Sequence, residues 1–510
     1  MLYRILKNAS EQFPDHIAAI HENKDYRYRE LLQLTDRLAV SLENLGLQQG
    51  NKLAIFLYNC PEIIVCYFAC FKLGITVVPI NNRLKNDEAH YILAHSQPAV
   101  LISQKCLFAK ITEGLHALRN LNHCFLIDIE EAFNQTIPFS DLLRSAEIAH
   151  HPVEIPQTAA AAVLYTSGTT GKPKGVMLAH DQMMAHTLGH CALVDYRRHD
   201  RTLVCMALSN NFAFSHQMLC ALHAGATLVI ISTFDAAEVL EKIEMNGITM
   251  LYMMPVMFHA LNKEAAAKGY PIINRLRLAI VAGDTTPFVM FEQFKQIFGL
   301  ELCEGIGMTE TQIYALNPLE KGKKLGSVGV PVDYMDVEVQ DDQGNTIATG
   351  EIGQIAVRSM IVMRGYLNEP DVTAQSFRNG WFLTGDLGYF DHDGYLWFRG
   401  RQKQLIVHEG SNISPQEVEA VFYHHPSVFE VGVIGVPDKF KGETVHAFVA
   451  LKYNVPTVSE QVLLAYAKQH LADYKLPESI TFIKALPKSA TGKINRKLLL
   501  QYERSTKTER

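Results

Sequence analysis

Short apolar runs alternate with amphipathic stretches through most of the chain. Across 26–45, apolar residues recur at helical spacing at Leu31, Leu32, Leu34, Leu38 and Leu42, which predicts a helix with one buried face. After it, 52–57 reads as a strand, Pro61–Leu73 as a helix, 76–80 as a second strand, 87–94 as a helix and 99–102 as a third strand. Strand–helix–strand alternation of this kind predicts parallel sheets with helices on their faces. The pattern returns at 202–207, 218–223, 227–231, 237–244 and Met250–Met253. From 326 to 398 short strands, such as Asp336–Gln340, Gly353–Arg358 and 395–398, alternate with Gly, Asp and Asn turns at 341–345 and 391–394, the texture of a small β-rich subdomain. Beyond Arg401 the pattern reads as a compact α+β unit, with helices at Pro415–Tyr423 and 460–470 and strands at 429–436, 446–451 and 480–483. The predicted class is α/β, with a large N-terminal domain over 1–399, a junction at 400–404 and a small C-terminal domain over 405–510.

A chain of 510 residues is too long for one core, in keeping with that division. Its 48% hydrophobic and 20% charged content is that of an ordinary globular protein. A net charge of −6 with mixed signs gives no electrostatic reason to expect nucleic acid. The nine cysteines lie between Cys60 and Cys303 without CxxC pairs, which reads as reduced thiols and a cytoplasmic protein. The first ten residues are too polar for a secretory signal. The most apolar stretch, 63–80, is interrupted by Lys72 and Gly74, so a buried helix and a strand are expected there and no integral membrane segment.

Chemistry concentrates first at 165–175, Tyr-Thr-Ser-Gly-Thr-Thr-Gly-Lys-Pro-Lys-Gly. An apolar run at 159–164 leads into it as a buried strand, and 176–180 opens a segment that could continue into a helix. Glycines let backbone N–H groups turn inward, the hydroxyls of Thr166, Ser167, Thr169 and Thr170 add donors, and Lys172 and Lys174 add positive charge. That is the chemistry of a phosphate cradle, although Gly168 and Gly171 lack the GxxxxGK[ST] spacing. The plain alternative is a polar surface loop. The stretch resembles the phosphate-binding loop of the adenylate-forming superfamily, which contains acyl-CoA synthetases, adenylation domains of peptide synthetases and luciferases.

The resemblance extends along the chain and implies further site residues. At 304–311, Glu-Gly-Ile-Gly-Met-Thr-Glu-Thr, it puts Gly305, Ile306 and Gly307 beside the nucleotide, Thr309 on phosphate and Glu310 on Mg²⁺. A carboxylate beside a triphosphate makes sense only with a cation between them; the competing reading of Thr-Glu is a helix start. Ile306 stands where the family usually has an aromatic ring, so adenine stacking is expected to be weaker. The 281–287 segment matches a glycine-bearing turn between acyl pocket and adenine. There Gly283 would face both ligands, and Asp284 is either an acceptor for the adenine amine or a turn residue. In 381–387, Trp-Phe-Leu-Thr-Gly-Asp-Leu, Asp386 would accept hydrogen bonds from the ribose hydroxyls. Arg401 would contact ribose or phosphate, Lys403 would sit at the hinge of a mobile C-terminal lid, and Gly410 would line the thiol tunnel, with Glu409 replacing a frequent second glycine. Lys493, in Thr-Gly-Lys-Ile, would bridge carboxylate and α-phosphate. Lys493, Glu310 and Thr166 are the implied catalytic set.

The resemblance implies a large domain of two α/β subdomains and one β-rich subdomain, and an AMP-forming ligation that uses ATP, Mg²⁺ and coenzyme A. The family commonly reads Pro-Leu-Phe-His where 207–210 stands, so Asn210, or Asn211 at a one-residue shift, replaces a histidine beside the carboxylate. Asn210, Asn211, Phe212 and Gly283 are the expected substrate pocket, and His216 reads as a packed or surface residue. Aromatic walls suit an alkyl chain and an aryl acid equally. The breadth of the family's stand-alone members favours a medium- or long-chain fatty acid. An aryl acid, or loading of a carrier protein's phosphopantetheine in place of CoA, is the alternative. A ligase that stops at the acyl-adenylate would carry an insertion, and none is evident. A non-catalytic binding protein is the second alternative: Ile306 and Asn210 hint at it, while Lys493, Glu310 and Asp386 argue against it.

Overall fold

Every residue of the helix Pro61–Leu73 except Glu62 is buried in the computed structural model of this chain. A helix apolar on all sides can persist in water only between other layers, and this one lies where the two largest sheets meet. The Tyr67 ring stacks on Phe214 at 4.7 Å, and its hydroxyl donates to the Leu208 carbonyl at 3.1 Å. Pro61 opens the helix at its first turn and Gly74 closes it with a left-handed φ of +70°. The structure describes residues 1–144, 154–166, 172–269, 274–284, 286–319, 322–409, 411–438, 440–452, 458–489 and 492–508.

Among the described residues, one sheet centres on Lys52–Phe56, flanked in parallel by Thr76–Pro79 and Val100–Ser103. Ala160–Thr166 joins it parallel to Thr76–Pro79 and returns antiparallel as Lys174–Ala179, with Thr166 opposite Lys174. The segment at 176–180 is therefore mostly strand, and the helix His180–Leu193 starts only after it. The segment thus does carry on into a helix, after a strand in which Val176 and Leu178 are buried. A second sheet carries Arg201–Val204, Thr227–Ile230, Met250–Met253 and Leu278–Val281 in parallel. Cys303–Met308 extends it in parallel and turns back as antiparallel Gln312–Leu316. Thr309 and Glu310 thus sit in a hairpin turn, and the helix-start reading falls.

Between these strands, Phe212–Leu219 forms a π-helical stretch that continues as Cys220–His223, so the element expected at 218–223 begins earlier. Its almost unbroken burial hides the helical period. The third sheet is antiparallel: Asp336–Gln340, Gly353–Arg358, Trp381–Phe390 and Leu396–Arg401. After a 3₁₀ turn at Gln402–Gln404, Val428–Asp438 and Gly442–Leu451 form the spine of the last sheet. Pro415–Tyr423 and Glu460–Lys468 cover it, and the helix Arg496–Thr508, which the sequence pattern did not predict, follows. The architecture is mixed α/β, with a large N-terminal and a small C-terminal domain. Among the described residues no helix is long and apolar enough to cross a membrane.

Two buried polar groups stand out in and between the large sheets, and Asn59 ties the sheets together. Asn59 donates to the carbonyls of Met206 at 2.9 Å and Ile231 at 3.2 Å, and accepts from the Leu208 N–H at 2.8 Å. Asn59→Ala leaves all three buried backbone groups short of a partner and should cost about 2–3 kcal/mol in urea denaturation. Glu304 is buried on the strand Cys303–Met308, and burial pushes its carboxyl from 4.5 up to about 7 against the opposing hydrogen bonds of Thr286. With the folded pKa raised, the native state holds this proton where the unfolded chain has lost it, so stability falls as pH rises from 4.5 to 7. Glu304→Gln should remove this dependence and gain on the order of 3 kcal/mol relative to the native chain at pH 8 compared with pH 4, read from urea midpoints at both pH values.

Candidate active site

The polar residues singled out in the sequence converge beyond the carboxyl ends of the parallel strands, where open α/β sheets place their ligands. Asp386 and Arg401 are cross-strand neighbours on Trp381–Phe390 and Leu396–Arg401. The Arg401 Nε lies 2.9 Å from Asp386 Oδ1, and the carboxylate is 2% exposed. The Tyr314 hydroxyl donates to Oδ2 at 3.1 Å. Among the described residues Oδ1 has no aligned hydrogen-bond donor, so its contact with Arg401 is one of charge. The Asp386 carboxylate holds the Arg401 guanidinium firmly protonated against its burial.

Glu310, also buried, projects from the hairpin turn and accepts a hydrogen bond from the Tyr366 hydroxyl at 2.9 Å. The Lys174 ammonium stands over the same Tyr366 ring at 4.8 Å. Burial raises the Glu310 carboxyl, while Tyr366, Arg401 and Lys174 pull it back toward the ionised form. The hairpin leaves little room for side chains. A Cβ on Gly305 would lie 2.8 Å from Leu316 Cδ1, and one on Gly307 would run into the Gln312 backbone. Half-buried Ile306 lies between them opposite Ala315, and Thr309 is half-buried beside Glu310.

The C-terminal domain delivers Lys493 to this cluster. Its turn is closed by the Ser489 N–H donating to the Lys493 carbonyl at 2.8 Å. At Gly492, φ +84°, a Cβ would meet Val256 Cγ1 at 3.6 Å and Met254 Sδ at 3.8 Å, so the turn rests on the N-terminal domain. A Cβ on Gly283, φ +100°, would meet the same Met254 at 3.7 Å. Burial lowers the pKa of Lys493 and Arg401 adds to this, while Asp284, Asp386 and Glu310 act against it. One lysine from the small domain therefore shares a field with three carboxylates and an arginine of the large one. Asp284 also faces Arg496, which is paired with Glu419 at 2.6 and 2.8 Å.

Other expected residues fall elsewhere. Thr166 ends its strand half-buried, and the Lys172 ammonium sits over Tyr91 at 5.8 Å. Ser167, Gly168, Thr169, Thr170, Gly171 and Gly410 lie outside the described residues. Lys403 is exposed on its 3₁₀ turn. Glu409 takes φ +48°, the left-handed conformation that a glycine adopts most readily. In the pocket region Asn210 Oδ1 accepts the Phe212 N–H at 2.8 Å, capping the helical stretch. Asn211 instead reaches across, its Nδ2 donating to Gln312 Oε1 at 2.8 Å. The Phe212 ring meets Tyr252 edge-on at 5.5 Å, and His216 is fully packed. Tyr314, Tyr366, Met254 and Arg496 were not expected; each is distant in sequence from its partner, and only the folded sheets bring them together. The arrangement joins a buried carboxylate suited to hydroxyls with cations suited to phosphates.

Known proteins share this arrangement of domains. Residues 6–367 match the family model of the AMP-binding enzymes, and 417–493 match that of the AMP-binding enzyme C-terminal domain. The 2-succinylbenzoate–CoA ligase of Bacillus licheniformis is 33% identical over 96% of this chain and 98% of its own length. The long-chain-fatty-acid–CoA ligase of Bacillus subtilis is 31% identical over 98% of this chain and 94% of its own. The crystal structure of ATP-bound MatB from Rhodopseudomonas palustris superposes with a TM-score of 0.89 at 26% identity, covering 98% of this chain and 99% of that one. The chain belongs to the adenylate-forming superfamily, as a member of its AMP-binding family of acyl-CoA synthetases and ligases.

Proposed function

We propose that this protein activates a carboxylic acid with ATP and transfers the acyl group to coenzyme A. The observation that carries the reading is the placement of Lys493 of the small domain among Arg401, Asp386, Glu310 and Asp284 of the large one. A nucleotide fits the residues present: Asp386 Oδ1 is a buried acceptor without an aligned donor, which suits ribose hydroxyls. Arg401, Lys174 and Lys493 supply charge for phosphates, and Thr166, Ser167, Gly168, Thr169, Thr170, Gly171 and Lys172 would complete that cradle. Ile306 packs against the adenine in place of an aromatic ring. Among the described residues no cluster of three or more His, Cys, Asp or Glu could hold a metal ion alone. A magnesium ion suits Glu310 together with the phosphates it accompanies, because that ion takes one or two carboxylates and substrate oxygens; bound there, it would neutralise phosphate charge.

In the first step an oxygen of the substrate carboxylate attacks the α-phosphorus and the bond to the β-phosphate oxygen breaks, so pyrophosphate leaves with the electron pair. Lys493, between the two reactants, offsets the charge that gathers on both. In the second step the thiol sulfur attacks the acyl carbon, AMP leaves with the carbon–oxygen electron pair, and the thiol proton passes to solvent. Residues 400–404, with Lys403, are the proposed hinge, and Gly410 the proposed lining of the thiol path. A carrier-protein thiol is the competing acceptor. Relatives acting on aryl and on fatty acids match at 33% and 31% identity, so likeness alone does not choose between them.

The test is pyrophosphate release from Mg·ATP over fatty and aryl acids, with and without CoA. Acid-dependent release, with a thioester formed only when CoA is present, is expected. Lys493→Ala should slow release roughly a hundredfold or more while leaving the melting temperature near that of the native chain. Release by no acid would refute the ligase reading, and full release by Lys493→Ala would refute the role of that lysine.

A further inference from the structure

Three histidines form a buried group that the ligation does not use. His186 and His190 lie one turn apart on the helix His180–Leu193, and His216 faces them from the π-helical stretch. Ring centroids are 4.5 Å apart for His186 and His216, 4.7 Å for His190 and His216, and 5.6 Å for His186 and His190. All three are at most 2% exposed. The His190 ring contacts the Tyr252 hydroxyl at 3.2 Å, and His216 Nδ1 contacts Ser215 Oγ at 2.8 Å. Among the described residues both nitrogens of His186, Nδ1 of His190, Nε2 of His216, the Tyr334 hydroxyl and Asn211 Oδ1 have no hydrogen-bond partner. Six such atoms in one place are far from ordinary, because buried polar atoms are nearly always paired.

The group lies directly beyond the reacting end of the site. Tyr252 is followed after one residue by Met254, which touches the Lys493 turn and Gly283. Ser215 and Asn211 both donate to Gln312, two residues from Glu310. Phe212 bridges the two regions, meeting His216 at 5.2 Å and Tyr252 at 5.5 Å. Tyr334 covers the outer side; a Cβ on Gly189 would lie 2.5 Å from its ring, so glycine is what admits the tyrosine there. A wall facing an alkyl chain would present aliphatic carbon; the groups packed here are imidazoles. Burial keeps His190 near 3 and holds the other two well below their ordinary range, so the rings are neutral, each with one donor and one acceptor nitrogen. A metal site is not the explanation, since among the described residues no group of three ligands is arranged for one.

Resting on the ligase reading above, we propose that the acid is a compact aryl acid whose far end carries a hydroxyl or carbonyl oxygen, held by hydrogen bonds to His186, His190 and His216. Phe212, Tyr252 and Tyr334 face the ring that joins this oxygen to the carboxylate. A second carboxylate would have to be buried against uncharged imidazoles, which is unfavourable unless it brings its own counter-charge.

The test compares acids that differ only at the far end: benzoate, 4-hydroxybenzoate and terephthalate, and cinnamate with 4-hydroxycinnamate, with octanoate as the alkyl arm. The readout is the ratio of kcat/KM for pyrophosphate release within one preparation, which does not depend on how much of a variant folds. The native chain should favour the hydroxylated member of each pair by roughly tenfold or more, because a site built around a hydroxyl rejects the analogue that lacks it. His216→Leu should bring the ratio near unity, and His216→Gln should retain part of it. Equal use of each pair, a preference untouched by His216→Leu, or octanoate as the best acid overturns the proposal and means that the histidines only pack or hold water. Terephthalate as the best aryl acid overturns the neutral-oxygen assignment. Failure of every acid overturns the ligase reading, and this inference with it, an outcome distinct from all the others.

Discussion

The ion pair between Asp386 and Arg401 is the constraint on which the site depends. The Asp386 carboxylate is removed from water while the Arg401 side chain stays about a third exposed. The cost of burying that carboxylate is offset by the attraction of the guanidinium and by a hydrogen bond. Strand pairing sets the two residues opposite one another, and Tyr314 supplies a hydrogen bond from the neighbouring sheet. The third sheet is thereby fastened to the second at the position where the nucleotide would lie. Removal of Arg401 would leave the Asp386 carboxylate buried without its counter-charge.

The small domain places Lys493 against charged groups of the large one. Lys493 sits in a field that Arg401 opposes and three carboxylates favour, and burial leaves its pKa lowered. Around it the domains touch through aromatic rings: His259 meets Phe429 edge-on at 4.8 Å, and Phe288 meets His424 at a tilt at 5.2 Å. Gly400 lies against Ser414 and Gln416, where a Cβ on the glycine would collide with both side chains.

Much of this was legible in the sequence. The α/β class followed from runs such as Pro61–Leu73, whose buried helix came out with the bounds that its proline and glycine announce. Asp386, Glu310 and Lys493 stand in short polar strings amid apolar strands, and the fold brings them near one another. What stayed open in the sequence did so for identifiable reasons. Lys174–Ala179 is short enough to read equally as a strand or a helix start, and only pairing with Ala160–Thr166 decides it. Asn210 could not be told from Asn211 until the helical stretch showed which one caps and which one reaches Gln312. The histidine group was the least visible, because His186 and His190 at helical spacing look like any helix face until His216 is folded against them.

Ribose recognition by the buried carboxylate is the central claim, and the affinity ratio of ATP to 2′,3′-dideoxy-ATP tests it most directly. Measured by calorimetry, the native chain should bind ATP roughly 10- to 100-fold more tightly, the value of hydrogen bonds to a buried charge, and Asp386→Asn should bring the ratio close to one. Equal affinity of the native chain for the two nucleotides would contradict the account.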